Sequence, residues 1–519
     1  FEPTSSEVGF PCKVILGDDS GYLSRGGLIC EACYNRDMKP SFYFYDLETS
    51  GLNPRSDRIM QFAGQRTDLD FNPIGEPQNI LVQLADDTLP SPSAVMVTGI
   101  TPQATLQDGM TEPEFCQFLI EEIATPNTTI VGYNSVRFDD EFVRHTLWRN
   151  FYDPYEWQWR DGRSRWDLLD VVRLTRALRP EGIRWPVTED GHSTNRLELL
   201  TKLNGIEHAH AHDALADVVA LIEVAKLIKT KQPQLFEFLY KLRGKREVEN
   251  LANLKNPRPF VYASGRYPSE FEKTTVAFPL TVGENGSILV YDLRYNLDDL
   301  LEAEAAARDA GMIDFEKPWC ERDPWEKNYL PIVKKLQYNH CPAIAPLVVL
   351  DKDDGWKKIK LDKTQIQQNL QCLLKHPEFA QRMASSQKRD FGKAIDAESA
   401  LYDGFLDDRD RLLCTAVRNN VTEDLANFRP AFHDERLPEL LLHYKARSFP
   451  ASLDNEEAPE WEKYRRARLA RQLPQFMKEL QWIGKELTKN QGLNGKSCEE
   501  CQYLAEELKL WCQSIAPGE

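Results

Sequence analysis

The chain of 519 residues lacks any apolar run of about 18 residues, the length that a helix needs to cross a bilayer. It also lacks internal repeats and low-complexity tracts. Hydrophobic residues make up 41% of the chain and charged residues 28%, which excludes wholesale disorder, collagen and coiled coil. We therefore expect roughly two to four packed domains, at about 100–200 residues per domain, and no membrane partner.

Positive charge is in deficit, because 64 Lys and Arg against 81 Asp and Glu give a formal net charge of −17. The molecule as a whole repels polyanions, so a nucleic-acid site would need a local basic surface. Residues 241–246 and 463–468 are basic runs that could supply it. Such runs are also common on solvated helix faces.

Cysteine is sparse: eleven residues, an odd number, are spread through the chain without a recognisable secretory signal. Reduced thiols, a cytoplasmic location and a monomer are expected. The pairs Cys30-x-x-Cys33 and Cys498-x-x-Cys501 could form a four-thiolate zinc site. Against this, the second pair opens an amphipathic helix and most of the chain separates the two.

Composition and periodicity divide the chain into four segments. Residues 1–41 have no sustained period and are interpreted as an N-terminal extension of unknown order. Strands followed by alternating strands and helices predict an α/β domain with a mixed sheet at 42–232. Short strand-like runs predict a β-rich domain at 233–385, and charged amphipathic patterns predict a helical domain at 386–519. Individual patterns include a helix at 166–178, a strand at 344–350 and a helix at 461–473.

The first candidate site is Asp46-Leu47-Glu48, at the end of an aromatic, strand-forming run. Residues two apart in a strand share a face, so both carboxylates would project side by side as hard oxygen ligands. Adjacent carboxylates repel one another unless a cation neutralises them. A bare Asp-x-Glu is also common at a solvated strand end.

The second candidate is the segment from Asn134 to Asp139, where an apolar strand ends and a helix begins. Ligands gather at the carboxyl ends of sheet strands. Asp139 and Asp140 could instead simply favour the helix N-terminus through its dipole.

The third candidate is the segment from His208 to Asp217, in which His208, His210 and His212 alternate. Alternation suits zinc ligands on a strand, but a helical pattern starts directly afterwards. Within one helix, His212 and Asp217 would lie ~140° apart. They converge only if His212 precedes the helix or lies in its first turn.

Together these motifs stand in the order Asp-x-Glu, Asn-x-x-x-Phe-Asp and His-x-x-x-x-Asp. This order, with its internal spacings, resembles the DEDD superfamily of exonucleases in its histidine-bearing branch. Further stretches are similar to the bacterial single-strand-specific 3′→5′ exodeoxyribonucleases of this branch, at 150–155, 164–171, 178–183, 204–208, 340–342 and 401–405. The resemblance runs from about residue 42 to the end.

The resemblance implies an RNase H-like α/β exonuclease domain with a mixed β-sheet, an SH3-like β-rich domain and a C-terminal α-helical domain. It implies two magnesium ions, with manganese as the alternative, held by Asp46, Glu48, Asp139 and Asp217. His212 would be the general base. The implied reaction removes nucleoside 5′-monophosphates from single-stranded DNA in the 3′→5′ direction, in DNA repair and recombination.

Residues 148–166 hold seven aromatic residues and four arginines, a combination suited to unpaired bases, although about half of these rings should simply pack. By resemblance, Tyr155, Trp159, Arg144 and Arg173 contact the strand, and Arg196 and Glu48 lie near the cleaved nucleotide. The family also docks the acidic C-terminal tail of single-stranded DNA-binding protein. Arg179 matches one position of that pocket, whereas Phe238 stands where a tyrosine is expected.

Two alternatives remain open at this point. A related exoribonuclease would use the same site, since discrimination depends on how the 2′-hydroxyl is accommodated. The two large C-terminal domains argue against it, because the small RNA-trimming relatives lack them. A catalytically silent single-strand-binding protein is disfavoured because all five catalytic positions are intact.

Overall fold

The computed structural model describes residues 39–207, 214–309, 332–385, 394–420, 422–489 and 492–516. Cys30, Cys33, His208, His210 and His212 lie outside these ranges, so the sequence-based zinc hypotheses and the predicted base are not addressed by the fold. Within the described residues, no helix is both long and apolar enough to cross a membrane.

The first sheet has the strand order β3-β2-β1-β4-β5. The pairs β1–β2 and β2–β3 are antiparallel, whereas β1–β4 and β4–β5 are parallel. The predicted mixed sheet is therefore confirmed. The strands are β1 (Ser41–Thr49), β2 (Ile59–Thr67), β3 (Pro73–Leu81), β4 (Thr128–Gly132) and β5 (Ser164–Asp167).

The central strand β1 is covered on both faces. Phe42 and Phe44 point into one apolar cluster, and Tyr43 and Tyr45 point into another on the opposite face. This alternation is the period of two of a strand buried on both sides. The helices of this region are α1 (Pro92–Thr98), α2 (Pro102–Asp108), α3 (Glu112–Phe118), α4 (Asp139–Arg149), α5 (Leu168–Leu178), α6 (Leu197–Leu203) and α7 (Ala214–Lys231).

The second sheet is antiparallel throughout, in the order β10-β6-β7-β8-β9. Its core is continuous with that of the first domain, because Val171 and Val290 belong to the same apolar cluster. Its strands are β6 (Phe260–Ala263), β7 (Thr274–Val282), β8 (Ser287–Asp292), β9 (Val333–Gln337) and β10 (Ile344–Pro346). The helices between the two sheets and around the second are α8 (Pro233–Lys241), α9 (Lys245–Leu251), α10 (Leu297–Asp309), α11 (Gly355–Lys358), α12 (Lys363–Leu374) and α13 (Pro377–Ser385).

The C-terminal region is helical and packs on the first domain through two apolar clusters. Val95 packs in one cluster with Leu480 and Leu504, and Trp148 packs in the other with Leu440. These contacts join the helical region to the domain that carries the candidate site. Its helices are α14 (Asp408–Asn419), α15 (Thr422–Asn427), α16 (Leu437–Ser448), α17 (Glu457–Leu487) and α18 (Cys498–Ile515).

A buried network of charges reinforces this junction. Glu398 lies 2.7 Å from Arg58, 2.5 Å from Arg447 and 2.8 Å from His443. Burial alone would raise the pKa of Glu398, but Arg447 and Arg58 outweigh it and hold the pKa well below its usual range. The two regions are thus joined by charges that must be paired because they are out of water.

The basic run at 463–468 contributes to this network rather than to an open surface. Arg468 is buried and its Nε lies 3.0 Å from Asp87. Arg465 is also buried, and its Nε lies 3.1 Å from Asp86. Arg468 therefore neutralises a buried acidic residue, whereas the partner of Arg465, Asp86, is exposed.

The structure corrects the predicted helix at 166–178. Trp166 and Asp167 belong to β5, where they lie opposite Val131 and Gly132 of β4. The Asp167 side chain then accepts a hydrogen bond from the N–H of Leu169 and caps α5. Apolar residues that continue from a buried strand into a helix conceal this boundary in the sequence.

Two other predicted elements differ in length. The strand predicted at 344–350 ends at Pro346, which has no N–H to donate, and a 3₁₀ turn follows. The helix predicted at 461–473 extends from Glu457 to Leu487 and contains Pro474. Packing of Phe476 and Leu480 in the core on the far side of the proline accounts for its continuation.

Replacing the buried Arg58 with methionine tests the charge network. Arg58→Met should lower the free energy of unfolding by about 3 kcal/mol, because it leaves buried Glu398 with one cation fewer. Arg160→Met is the matched control, since Arg160 forms a pair of 2.8 Å with Glu156 that is largely exposed. Its expected cost is below about 1 kcal/mol. Equal losses in chemical denaturation would contradict a special role for the network.

Candidate functional site

Asp46 and Glu48 lie at the carboxyl end of β1, on the face that also carries Phe42 and Phe44. Phe42 and Phe44 anchor this face in the core, and the strand period brings the two carboxylates onto the same side. Gly51 follows, and a Cβ at that position would lie 2.3 Å from Asp57 Oδ2. The close approach of this loop explains the glycine.

Asp217 reaches the same point from α7. The helix begins at Ala214, so Asp217 lies in its first turn. Val218 and Leu221 of this helix pack in the cluster that contains Phe42 and Phe44. As a result, one carboxylate oxygen each of Asp46, Glu48 and Asp217 lies within 4.8 Å of the others.

Asp139 approaches from the neighbouring strand. It is the first residue of α4 and follows β4, which runs parallel to β1, so both strands end at the same edge of the sheet. Asp139 is buried, and burial together with Asp140, Asp167 and Glu48 raises its pKa well above the usual value. Burial, Asp139 and Asp217 raise the pKa of Asp46 in the same way. All four predicted carboxylates therefore influence one another.

Asp140 has a different role from its neighbour. Its carboxylate accepts hydrogen bonds of 2.6 Å from the Tyr45 hydroxyl and from Arg165 Nη1. These contacts tie the start of α4 to β1 and β5. Asp140 therefore holds the start of α4 in place, whereas its neighbour Asp139 interacts electrostatically with Asp46 and Glu48.

Sequence reasoning missed a supporting pair, Asp167 and Asp170. Asp167 accepts a hydrogen bond of 2.9 Å from the N–H of Asn134, whose φ of 69° is left-handed. Arg137 donates to Asp170 over 2.6 Å. Both acidic residues lie in the 164–171 stretch that resembles the family, but nothing in the local sequence indicates that they position the loop before Asp139.

The donor set fits hard divalent cations. Three half-buried carboxylates within 4.8 Å of one another present only oxygen and repel one another strongly without a counterion. Magnesium and manganese prefer such ligands. His212, the predicted base, lies outside the described residues.

The aromatic segment at 148–166 divides as expected from its composition. Trp148, Phe151, Trp157 and Trp166 are buried, whereas Trp159 is 62% exposed. The half-buried Tyr155 lies with its ring centroid 5.4 Å from the Arg144 guanidinium and 6.0 Å from that of Phe405. Phe405 comes from the helical region and is 83% exposed. Sequence reasoning noted its stretch only as a resemblance and assigned it no role.

The predicted arginines occupy contrasting environments. Arg144 is buried and donates to Glu141 and Gln158, each over 2.7 Å. Arg173 forms a pair of 2.5 Å with Asp170. Arg196 is exposed and precedes α6. Arg179 lies 3.5 Å from Asp353, in the turn that precedes α11.

Three family models match the chain along its length. They are described as Exonuclease, at residues 43–225, Exonuclease I SH3-like domain, at 243–388, and Exonuclease I C-terminal domain, at 395–515. Exodeoxyribonuclease I of Haemophilus influenzae is 41% identical over 445 residues, which cover 85% of this chain and 93% of that protein. The chain belongs to the exodeoxyribonuclease I family. The predicted fold class and family are confirmed, while the domain boundaries at 42, 233 and 386 stay predictions.

Solved structures of exonuclease I share this fold. Escherichia coli exonuclease I in complex with a dA16 oligonucleotide is 36% identical, with a TM-score of 0.83 over 92% of this chain and 100% of that one. A structure described as SSB/Exonuclease I in complex with inhibitor CFAM is 35% identical, with a TM-score of 0.80 over 92% and 100% of the two chains. Because the structures match over 92% of this chain, the similarity includes the SH3-like and C-terminal domains as well as the exonuclease domain.

Charge removal at the carboxylate cluster should stabilise the metal-free protein. Two unit charges about 5 Å apart interact by about 3 kcal/mol at an effective dielectric constant of 20, and protonation relieves part of this. Asp46→Asn should therefore raise the free energy of unfolding in EDTA by about 1 kcal/mol, and Mg²⁺ should stabilise the variant less than the parent.

Thermal and chemical denaturation with and without Mg²⁺ measure both effects. Glu76→Gln, on an exposed position of β3, is the control and should change neither. An Asp46→Asn protein that is less stable than the parent in EDTA, or equally responsive to Mg²⁺, would contradict the repulsion argument.

Proposed function

We propose that this protein is a 3′→5′ exodeoxyribonuclease that hydrolyses single-stranded DNA to nucleoside 5′-monophosphates, using two magnesium ions or, alternatively, manganese. The observation that carries the proposal is the convergence of Asp46, Glu48 and Asp217 within 4.8 Å. The names of the relatives favour DNA over RNA as substrate. An enzyme that degrades DNA from a free end would act in the cytoplasm, in DNA repair and recombination.

Asp46, Glu48, Asp139 and Asp217 would hold the ions. Two divalent ions stabilise both the attacking and the leaving oxygen when phosphorus is displaced in line. The chain itself supplies the four carboxylates, of which Asp139 is buried and the other three are half-buried. Glu48, at the outer end of β1, would also lie beside the terminal nucleotide.

His212 is proposed as the general base that takes a proton from the attacking water. An unperturbed histidine pKa of about 6.5 suits proton transfer near neutral pH. The 3′ oxygen of the penultimate nucleotide is the leaving group, which fixes the product as a 5′-monophosphate. In the sequence His212 stands two residues before the described start of α7, which carries Asp217.

The exposed aromatic residues favour unpaired bases. Trp159 offers an open ring face, and Phe405 adds a second one beside Tyr155. Stacking of a base on an aromatic ring contributes about 1–3 kcal/mol and is available only to unstacked bases. Because Tyr155 and Phe405 belong to different domains, a strand bound between them would contact both.

Arginines would contact the phosphates. Arg196 is exposed, and Arg173 lies at the junction with the second sheet, since a Cβ on Gly265 would come 2.7 Å from its Nη2. Arg144 is paired with Glu141, and its guanidinium lies over the Tyr155 ring. Its main role would be to orient that ring. Because Arg144 and Arg173 are paired with Glu141 and Asp170, local positive charge for a phosphate would come mainly from Arg196.

We further propose that an acidic tail of single-stranded DNA-binding protein docks at Arg179. Lys352, Lys357 and Lys360 are exposed around α11, which contacts the helix that precedes Arg179. These lysines suit a carboxylate-rich peptide, which would compete with Asp353 for Arg179. The SSB/Exonuclease I structure supports such a partner.

A nuclease assay tests the main proposal. With Mg²⁺, 5′-labelled single-stranded DNA should shorten from its 3′ end, whereas duplex DNA and RNA should persist. Asp46→Asn and Asp217→Asn should each slow the reaction by about 10³-fold or more, because charge stabilisation worth several kcal/mol is lost. Glu76→Gln is the control. Near-normal rates in either site variant would refute the assignment.

Binding in Ca²⁺ tests the aromatic surface without turnover. Trp159→Ala should weaken affinity for oligo-dT by about tenfold, the equivalent of one lost stacking contact. Tyr155→Ala in addition should weaken it further. Trp482→Ala, at a tryptophan of α17 that is 52% exposed, should leave affinity unchanged. Unchanged affinity in the double variant would return both rings to a structural role.

A further inference from the structure

A second group of metal-ligating side chains lies beside the antiparallel sheet. Asp298, Cys372 and His376 each place one ligand atom within 4.8 Å of the others. Asp298 is in the first turn of α10, Cys372 is near the end of α12, and His376 follows α12 directly. The cluster thus joins the start of one helix to the end of another.

Neighbouring groups orient the histidine ring. His376 Nδ1 lies 2.9 Å from Glu378 Oε1, and Nε2 lies 2.8 Å from Asp298 Oδ1. A carboxylate on the far nitrogen is the arrangement that fixes the tautomer and direction of metal-bound histidines. Nε2 is consequently aimed at the space shared with Asp298 and Cys372.

The thiol is held as firmly as the imidazole. Cys372 is buried, and its Sγ lies 3.3 Å from Asn296 Oδ1. Asn296 in turn donates to Asn369 Oδ1 over 3.3 Å, and Asn369 donates to the carbonyl of Leu293 over 2.9 Å. These bonds fix the loop before α10 against α12, so the three donors meet on rigid elements.

We propose that Asp298, Cys372 and His376 form a binding site for a transition metal of the zinc type, separate from the carboxylate cluster. One sulfur, one imidazole nitrogen and one carboxylate oxygen form a mixed donor set that selects zinc or cobalt over magnesium or calcium. Water supplies the fourth position. The metal would link α10 to α12 and stabilise the β-rich domain.

The geometry requires only small adjustments. A tetrahedral site with bonds of about 2.0–2.3 Å separates its donors by about 3.5 Å, so the imidazole and carboxylate move apart slightly while the thiolate moves in. Asp298 and His376 are partly exposed, so their side chains have room for this shift, although hydrogen bonds hold them in the metal-free arrangement.

Charges around the cluster act in both directions. The carboxyl end of α12 favours a cation, whereas Lys375, which lines a cavity together with Asp298 and Cys372, opposes one. A metal bound at His376 Nε2 would replace the contact of 2.8 Å that this nitrogen now makes with Asp298 Oδ1, while Nδ1 keeps its contact with Glu378.

Cobalt titration provides the test, because thiolate-bound Co²⁺ has a charge-transfer absorption that carboxylate-bound Co²⁺ lacks. Reduced full-length Cys30→Ser/Cys33→Ser protein, with Mg²⁺ in excess, should bind one Co²⁺ with this band, and Zn²⁺ should displace it. Cys372→Ser should abolish the band and weaken zinc binding at least about 100-fold, and Glu378→Gln should weaken it about tenfold.

Cys512→Ser, at a half-buried thiol of α18, is the matched control and should keep the band. Glu378 is exposed, so its variant tests the site without threatening the fold. Zinc should also raise the melting temperature of the parent but not that of His376→Gln. Absence of the band, or its survival in Cys372→Ser, would overturn the proposal, and neither result would affect the proposed nuclease.

Discussion

Mutual repulsion among the carboxylates at the end of β1 is the constraint on which the rest of this structure depends. Asp46, Glu48 and Asp217 are brought within 4.8 Å, with Asp139 close enough to raise the pKa of Asp46. Such an arrangement is unfavourable in isolation. It persists because Phe42 and Phe44 on the strand pack against Val218 and Leu221 on α7, so the apolar core offsets the electrostatic cost and leaves a site that cations stabilise.

Apolar packing and paired charges also hold the domains together. The antiparallel sheet shares its core with the exonuclease domain, whereas the helical region attaches through apolar patches and a buried network around Glu398. Buried charges tolerate little displacement, because each needs its partner. Tyr155 and Phe405 belong to the two regions that this junction joins, so the contact between their rings depends on how these regions pack.

Agreement between sequence and structure is closest where a local rule applies. The period of two in β1 predicts that Asp46 and Glu48 share a face, and the start of α7 at Ala214 places Asp217 in a first turn. The agreement is poorest where one secondary-structure element follows another without a loop. The boundary between β5 and α5 was predicted wrongly, because Trp166 and Asp167 continue an apolar pattern whose strand character comes from pairing with β4.

Other features leave no mark in the local sequence. The basic run at 463–468 is typical of a solvated helix face, yet Arg468 is buried against Asp87, nearly four hundred residues away in the chain. The contact between Tyr155 and Phe405 is likewise not indicated by the sequence near either residue. Such contacts follow from packing between distant segments, and no spacing rule relates their partners.

By itself, the sequence determined the residue types, order and spacings of the acidic motifs, and with them the family and the chemistry of oxygen ligands. Those properties are local, since they depend on the periods of strands and helices. Only the tertiary structure decided that Asp140 binds Tyr45 and Arg165, and that Cys372 meets Asp298 and His376. The burial and orientation of each side chain are fixed when the elements pack, because only then do particular neighbours replace the water around it.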